Sequence, residues 1–201
     1  MRFIPSEVEE ALKSLQKIPG YGERGAQRFF YALLKLPPRE RLSIVKVLAE
    51  AVKKLNPCKE CGIYTDKDIC DICTCPGRSK KLLTVVEESD DAYAIERLGR
   101  YKGVYHILGG RISPLEGISA EDLTINKLLE RIEKYKTYEV ILATNPNTEG
   151  EATASYLAHL LRRKFPDLKI TRLGFGAAFG TYLDLLDEFS LSTALENRKK
   201  F

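Results

Sequence analysis

The spacing of apolar residues divides the chain into a helical N-terminal part and a C-terminal part in which strands and helices alternate. In the first 55 residues, apolar positions recur every three or four residues, a spacing typical of amphipathic helices. They predict a helix over residues 6–17 with Ser6 as its N-cap, and a second that carries Phe29 and Leu33 and ends at Pro37. A third is predicted over residues 39–55.

Beyond Lys81, short β-branched runs alternate with helical segments. The predicted strands are residues 82–86, 104–108, 140–143 and 168–173, and the predicted helices are residues 89–99, 121–135, 150–165 and 190–197. Such alternation is typical of a parallel sheet covered by helices on both faces. We therefore expect an α/β protein with an N-terminal helical hairpin module, a small cysteine knuckle and a four-stranded, mostly parallel sheet flanked by helices.

Composition and charge narrow the class of protein. The 201 residues are 44% hydrophobic and 30% charged, which indicates an ordered domain rather than a disordered chain. No run approaches the ~18 apolar residues of a membrane span, and the N-terminus lacks a signal-peptide pattern, so a cytoplasmic protein is expected. Residues 1–57 hold 11 Lys/Arg against 6 Asp/Glu, whereas residues 82–201 hold 16 against 18. This asymmetry predicts an N-terminal module that faces a polyanion.

Four cysteines between these two parts predict a metal site. Cys58, Cys61, Cys70 and Cys73 are spaced C-x2-C-x8-C-x2-C, which lets two thiolate pairs converge on one tetrahedral Zn²⁺. Four thiolates leave no open coordination position, so the predicted role is structural. Two local disulfides, or a redox C-x-x-C pair, remain alternatives at this stage. Cys75 lies just past the cluster and is interpreted as a spare thiol.

A glycine-rich turn joins the first two predicted helices. Gly20 and Gly22 allow a close backbone approach, and the N–H groups that open the next helix can then bind a phosphate oxygen. Arg24 and Arg28 lie four residues apart on one face of that helix, where both can add charge-assisted contacts to the phosphate. The segment resembles the helix-hairpin-helix motif of nonspecific DNA-binding proteins. An ordinary turn between helices is the alternative, and Gly25 stands where such hairpins often have a hydroxyl residue.

Acidic residues follow the first and third predicted strands of the sheet. Glu87 follows the first, and Asn145, Asn147, Glu149 and Glu151 follow the third. Open α/β sheets place their sites at such strand ends. The arrangement resembles a Toprim domain, whose catalytic members hold Mg²⁺ with a glutamate and a D-x-D-x-E-G-E run. Asparagine replaces both aspartates here, so we expect weak Mg²⁺ binding and no catalysis.

Taken in order, these pieces resemble the RecR family of bacterial recombination mediators. The matching segments are Cys70-Asp71-Ile72-Cys73, Tyr101-Lys102-Gly103, residues 112–118, the asparagine-proline form of the Toprim loop, and the tail over residues 191–198. The resemblance implies four regions: a DNA-binding helical hairpin (1–56), a zinc knuckle (57–79), a Toprim domain (80–173) and a C-terminal segment involved in subunit contacts (174–201). The segment 174–181 departs from the family pattern at Ala178 and Thr181.

The resemblance also implies a function. RecR proteins are non-enzymatic DNA clamps, expected as homotetrameric rings, that bind single- and double-stranded DNA regardless of sequence. They act with RecO, and with RecF in many bacteria, to load RecA onto single-stranded DNA coated by SSB. Glu87, Glu149 and Glu151 are then expected to lie exposed at one edge and bind the basic protein RecO, unless they only cap a helix.

Two other functions remain open from the residues alone. A Toprim enzyme, either primase-like or a nuclease, would use Mg²⁺ at the same carboxylates. Against it stand the lost aspartates and the positions of His106 and His159, which lie outside the cysteine cluster and are expected to pack rather than catalyse. A scaffold that contacts only proteins would leave the basic hairpin without DNA.

Overall fold

The computed structural model describes residues 4–174, 176 and 180–198. The chain divides into two compact units, of which one ends at Leu55 and the other begins at Asn56. The first unit contains the predicted helices, and the second contains the cysteine cluster and the sheet. The finer division into four regions remains a prediction.

Three helices form the first unit. They are α1 (Ser6–Leu15), α2 (Glu23–Lys35) and α3 (Pro38–Lys54). Pro38 occupies the first turn of α3, where its fixed φ and missing N–H suit a helix start. The prediction that Ser6 caps α1 is wrong, because Pro5 is the N-cap and the Ser6 hydroxyl instead donates to the carboxylate of Glu7.

The second unit opens with the cysteine segment. Strands β1 (Asn56–Pro57) and β2 (Tyr64–Thr65) pair in antiparallel fashion, and the short helix α4 (Asp71–Thr74) follows. Gly62 lies in the turn between the strands with φ 85°, a conformation that favours glycine.

A parallel sheet forms the rest of the second unit and confirms the predicted α/β architecture. Its strands are β3 (Leu82–Val86), β4 (Val104–Ile107), β5 (Glu139–Leu142) and β6 (Lys169–Arg172), in the order β4-β3-β5-β6. All neighbouring pairs are parallel, and one row across the sheet reads Val104, Leu83, Val140, Ile170. Because β3 and β5 are neighbours, Glu87 and the residues after Leu142 meet at the same edge.

Four longer helices accompany the sheet: α5 (Ser89–Glu96), α6 (Ile125–Tyr135), α7 (Thr148–Lys164) and α8 (Glu188–Glu196). Three of them start at different residues than predicted, and α8 is one of these, since it begins at Glu188 rather than at residue 190, with Asp187 as its N-cap. Residues 120–122 form a separate 3₁₀ turn, closed by reciprocal bonds between Ser119 and Asp122, so α6 starts only at Ile125. Helix α7 starts two residues early because the Asn147 side chain caps it.

Side chains pack on both faces of the sheet. One hydrophobic cluster joins Leu83 and Val85 of the central strand to residues of α6 and α7. Another joins Val86, Tyr105 and Ile107 to α5 and the four buried cysteines. Because successive side chains of a strand point to opposite faces, the cysteine segment and α5 pack on the face that α6 and α7 leave free.

The structure describes only one of the two residues that depart from the family pattern in the segment 174–181. Ala178, one of the two predicted departures from the family pattern, lies outside the described residues, whereas Thr181 lies within them.

Among the described helices, none combines the length and the apolar character that crossing a membrane requires.

Candidate functional site

The turn between α1 and α2 has the geometry that its glycines predict. The Tyr21 N–H donates to the Ile18 carbonyl at 3.0 Å, and Gly20 has φ 81°. A positive φ at the third position is the mark of a type II turn. Gly22 is the N-cap of α2 and offers no side-chain acceptor, so no side chain caps the first N–H groups of this helix.

The two arginines of the hairpin are exposed one helical turn apart. Arg24 and Arg28 both lie on α2, close behind the Gly22 cap. Glu23 precedes them and accepts a hydrogen bond from the Gln27 side chain at 3.3 Å. A Cβ at Gly25 would contact only Tyr21, at 3.9 Å, so the structure has room for a larger residue at this position and does not require glycine there.

The four cysteines predicted as ligands converge on one point. Their Sγ atoms all lie within 4.8 Å of one another, and all four residues are buried free thiols. Cys58 and Cys61 lie in and beside the β1–β2 turn, whereas Cys70 is the N-cap of α4 and Cys73 lies within it. The clustering favours a metal site over two local disulfides. Cys75, which is half-buried, is not part of the cluster.

The cluster has the size and chemistry of a metal centre. Sulfur ligands about 2.3 Å from a tetrahedral Zn²⁺ lie ~3.8 Å apart, and the Cys61 and Cys70 Sγ atoms are separated by 3.5 Å. Hydrogen bonding among the thiols lowers the pKa of Cys70 and raises the pKa of Cys61. The Cys70 N–H also donates to Cys58 Sγ at 3.3 Å. The donors are therefore arranged around one shared anionic centre.

The cysteine segment contacts the edge strand of the sheet directly. The Ile107 N–H of β4 donates to the Cys61 carbonyl at 2.8 Å. A Cβ at Gly62 would lie 3.1 Å from the Cβ of Ile107, a tight contact that, with the positive φ of Gly62, favours glycine at this position. The Tyr93 hydroxyl of α5 donates to the Tyr64 carbonyl at 3.1 Å. The four-cysteine cluster is thus part of the packing of β4 and α5.

The carboxylate of Glu87 is buried and already hydrogen-bonded. Its residue is 2% exposed, and its two oxygens accept from Asn145: Oε1 from the backbone N–H at 2.7 Å and Oε2 from the side-chain amide at 2.9 Å. A Cβ at Gly150 would lie 2.0 Å from the Asn145 carbonyl, so glycine is required beside this pair. An amide donor therefore occupies both oxygens that a catalytic Toprim domain offers to Mg²⁺.

The second asparagine has a different structural role. Asn147 Oδ1 accepts from the Gly150 N–H at 2.7 Å and so caps α7. The Thr144 hydroxyl donates to the Gly150 carbonyl at 2.7 Å and fixes the same turn. Asn145 and Asn147, which replace the two aspartates of catalytic Toprim domains, are thus both hydrogen-bonded within the protein.

The three predicted carboxylates do not form one exposed, unpaired cluster, so that expectation is wrong in its geometry. Glu87 is buried, as described above. Glu151 pairs with Arg172 at 2.7 Å, and Arg172 also donates to the Leu142 and Thr144 carbonyls. Glu149 is partly exposed, with its Oε2 at 4.0 Å from Arg111 Nε. Sequence reasoning missed both arginines, because nothing local marks them as partners of these acids.

The two histidines differ in environment. His106 is buried in β4 and its Nε2 lies 2.9 Å from the Thr124 hydroxyl. Burial, reinforced by the charge of Arg131, lowers the pKa of His106 to about 3, which keeps the ring neutral. This fits the packing role expected for it. His159 is exposed on α7, so the same expectation is wrong there.

A buried arginine was also missed. Arg131 projects from α6 between His106, the Tyr105 carbonyl and Cys73. The available signal was its position three residues after Leu128 and next to Ile132, on the apolar face of the helix, where a charged residue needs a partner.

Comparison with known proteins agrees with this architecture. Residues 81–174 match the Toprim domain family model. A recombination protein RecR from Aquifex aeolicus (strain VF5) is 60% identical over 196 residues, which cover 98% of this chain and 93% of that protein. Similarity at this level over almost the whole length establishes homology. The chain therefore belongs to the RecR family of recombination proteins.

Proposed function

We propose that this protein is a recombinational DNA repair mediator. It acts in the cytoplasm as a sequence-independent clamp on single- and double-stranded DNA, together with RecO and, where present, RecF. In this role it promotes the loading of RecA onto single-stranded DNA coated by SSB. The observation that carries the proposal is the near full-length similarity to a RecR recombination protein.

DNA binding is assigned to Gly20, Gly22, Arg24 and Arg28. The support is an exposed turn whose helix N-terminus has no side-chain cap, followed by two exposed guanidinium groups. Backbone N–H groups and arginines at such a turn contact phosphates rather than base edges, so binding is independent of sequence.

The protein is proposed to assemble into a homo-oligomer, a tetrameric ring. Helix α3 supports this, because it has no buried residue and carries several exposed apolar side chains in the single chain. Leu42 is 68% exposed and Val52 is 79% exposed, with Val45, Val47 and Leu48 also exposed. Leu42, Val45, Leu48 and Val52 recur at the three- and four-residue spacing of one helix face, and an exposed apolar face of this kind marks an interaction surface. One hairpin offers few phosphate contacts, so several hairpins in one ring would raise affinity through avidity.

The metal is assigned as one structural Zn²⁺ per chain, held by Cys58, Cys61, Cys70 and Cys73. Four convergent buried thiols are the ligand set of a closed zinc site. The contacts of this segment with β4 support a purely structural role, in which the metal stabilises the edge of the sheet.

The protein is proposed to have no enzymatic activity of its own. Mg²⁺ requires oxygen ligands in near-ideal octahedral geometry, and it loses its own water reluctantly. The Asn145 amide already satisfies Glu87, and Asn147 caps α7. These bonds would have to break before the loop could hold a catalytic cation.

RecO binding is assigned to the Toprim edge through Glu87, Glu149 and Glu151, with distinct roles for the three. Glu149 and Glu151 reach the surface and can contact a basic partner, whereas the buried Glu87 positions the loop that carries them. Acidic groups on this edge favour a cationic protein over DNA.

The direct experiment is a RecA-loading assay on SSB-coated single-stranded DNA. Addition of the protein together with RecO should shorten the lag before RecA filaments form, whereas the protein alone should have little effect. An unchanged lag with RecO present would contradict the mediator function. Magnesium-dependent cleavage or primer synthesis by the purified protein would instead favour a Toprim enzyme.

A further inference from the structure

Arg131 is a charged side chain in an unusually buried position. Its residue is 6% exposed on α6. Nη1 donates to the Tyr105 carbonyl of β4 at 2.6 Å, and Nη2 lies 3.9 Å from the Sγ of Cys73. One guanidinium group therefore touches both the sheet edge and a predicted metal ligand.

The nearby acid does not by itself balance this charge. Glu60 Oε1 lies 4.0 Å from Arg131 Nε, and that Nε has no hydrogen-bond partner. The same oxygen accepts from the Tyr135 hydroxyl and from Lys134 Nζ at 3.2 Å. Glu60 thus has one negative charge to share between two cations.

Burying a guanidinium is costly unless negative charge lies close by. Neutral thiols supply none, whereas a divalent cation with four thiolates carries a net charge of −2. A loaded cluster would therefore supply the negative charge that Arg131 faces through Cys73. Donors to ligating sulfur atoms also orient the ligands and tune the affinity for metal.

We propose that Arg131 is a positioning residue of the metal centre, which donates to Cys73, offsets the charge of the loaded four-cysteine cluster and ties that cluster to β4. The inference rests on the zinc site proposed above. It adds to the four ligands a residue that lies 58 positions after Cys73 in the sequence, beyond the edge strand β4. Occupancy of the metal site and packing of α6 are then energetically coupled.

The test compares metal release from three variants of the full chain, purified with zinc. Arg131→Met removes the charge and all donors at similar length, and Arg131→Lys keeps the charge without the planar fork. Lys134→Met is the matched control, because Lys134 lies on the same helix and contacts Glu60 but not Cys73. Zinc transfer to excess chelator should be about 10- to 100-fold faster in Arg131→Met, intermediate in Arg131→Lys, and within about twofold of the parent in Lys134→Met.

Melting temperatures with zinc and after its removal separate positioning from simple packing. A positioning residue predicts that the zinc-induced rise in Tm is smaller in Arg131→Met than in the parent. Equal losses of Tm with and without zinc, or an unchanged release rate, would overturn the inference. If Arg131→Met does not fold, Arg131→Lys decides by the same two measurements. Absence of zinc from the parent protein would instead refute the proposed metal, a different outcome.

Discussion

The Asn145 amide faces the buried Glu87 carboxylate and donates to it twice, at 2.7 Å from the backbone and at 2.9 Å from the side chain. In a catalytic Toprim domain the equivalent positions hold an aspartate and a glutamate around Mg²⁺. The exchange of one acid for its amide thus converts a repulsive pair that needs a cation into a hydrogen-bonded pair that does not.

Asn145→Asp should therefore make stability depend on magnesium. Without a divalent cation, a half-buried carboxylate would face the buried Glu87 and one hydrogen bond would be lost, at a cost of about 1–3 kcal/mol in the free energy of unfolding. Millimolar Mg²⁺ should restore part of this loss, whereas the parent protein should not respond. Thermal unfolding with and without Mg²⁺ measures both effects.

The matched control for this experiment is Asn147→Asp. An aspartate accepts the Gly150 N–H as well as asparagine does and suits the N-terminus of α7, so melting should hardly change. If Asn145→Asp were as stable as the parent in the absence of Mg²⁺, the proposed clamp on Glu87 would be wrong.

Cys58→Ser should abolish stoichiometric zinc binding and lower stability, because the metal is linked to the packing of β4. Cys75→Ser removes a thiol just outside the cluster and should leave both unchanged. Elemental analysis of protein purified without chelator, together with thermal unfolding, checks this. Metal-free parent protein, or a Cys58→Ser variant with unaltered melting, would refute the zinc site.

The ion pair of Glu96 with Arg78 should make stability depend on pH. Both Arg78 Nη atoms contact Glu96, at 2.6 and 2.8 Å, and the Tyr105 hydroxyl donates to Glu96 at 2.6 Å. Burial raises the pKa of Glu96, but the bonds from Arg78 and Tyr105 outweigh it and hold the pKa below its usual range. A carboxylate with a depressed pKa stabilises the fold above its unfolded-state pKa, and this stabilisation is lost as pH falls through the folded-state value.

Glu96→Gln should therefore lower the free energy of unfolding by about 1–3 kcal/mol at neutral pH and by progressively less as the solution is acidified below pH ~4.3. Denaturant unfolding of parent and variant across this range gives the difference directly. The conservative control is Glu133→Gln on the exposed surface of α6. A difference between Glu96→Gln and the parent that stays constant with pH would contradict the ionised pair.

Glu149→Ala should weaken binding to RecO and reduce the salt dependence of that binding, because it removes an accessible charge from the Toprim edge. Zinc content and melting should stay as in the parent, since the only charged partner that Glu149 has in the described part of the chain is the loose contact with Arg111. Glu133→Ala, an equal loss of charge on α6, should leave RecO binding intact. If the parent, Glu149→Ala and Glu133→Ala bound RecO with equal affinity, Glu149 would not be part of the RecO-binding surface.

The sequence predicted those features that depend on residues close together in the chain. Short β-branched runs such as Leu82–Val86, alternating with helical segments, predicted the strands of a parallel sheet, and the spacing of Cys58, Cys61, Cys70 and Cys73 predicted their convergence. The roles of Asn145 and Arg131 depend on residues far away in the sequence, Glu87 and Cys73, so no local pattern could assign them.

Two further differences have the same origin. Glu87 and Glu151 were predicted to be unpaired acids, because their partners, Asn145 and Arg172, lie at the ends of later strands. Helix α3 has the periodicity of a packed amphipathic helix, yet its apolar side chains are exposed in the single chain. A periodic pattern predicts that a face will be buried, but not whether its partner is the same chain.

The central claim, that the helical hairpin binds DNA through phosphates within an assembly, is tested most directly by one salt titration. Affinity for fluorescent DNA of two unrelated sequences is measured over a range of salt for the parent, for Arg24→Ala with Arg28→Ala, and for Lys46→Ala with Lys53→Ala on α3, after the mass of each assembly has been matched. The account predicts weaker binding for the arginine variant on both sequences. Its log–log salt slope should be shallower by about 0.9 for every phosphate contact removed from duplex DNA, and the lysine control should stay close to the parent. An arginine variant with unchanged affinity and salt slope would contradict it.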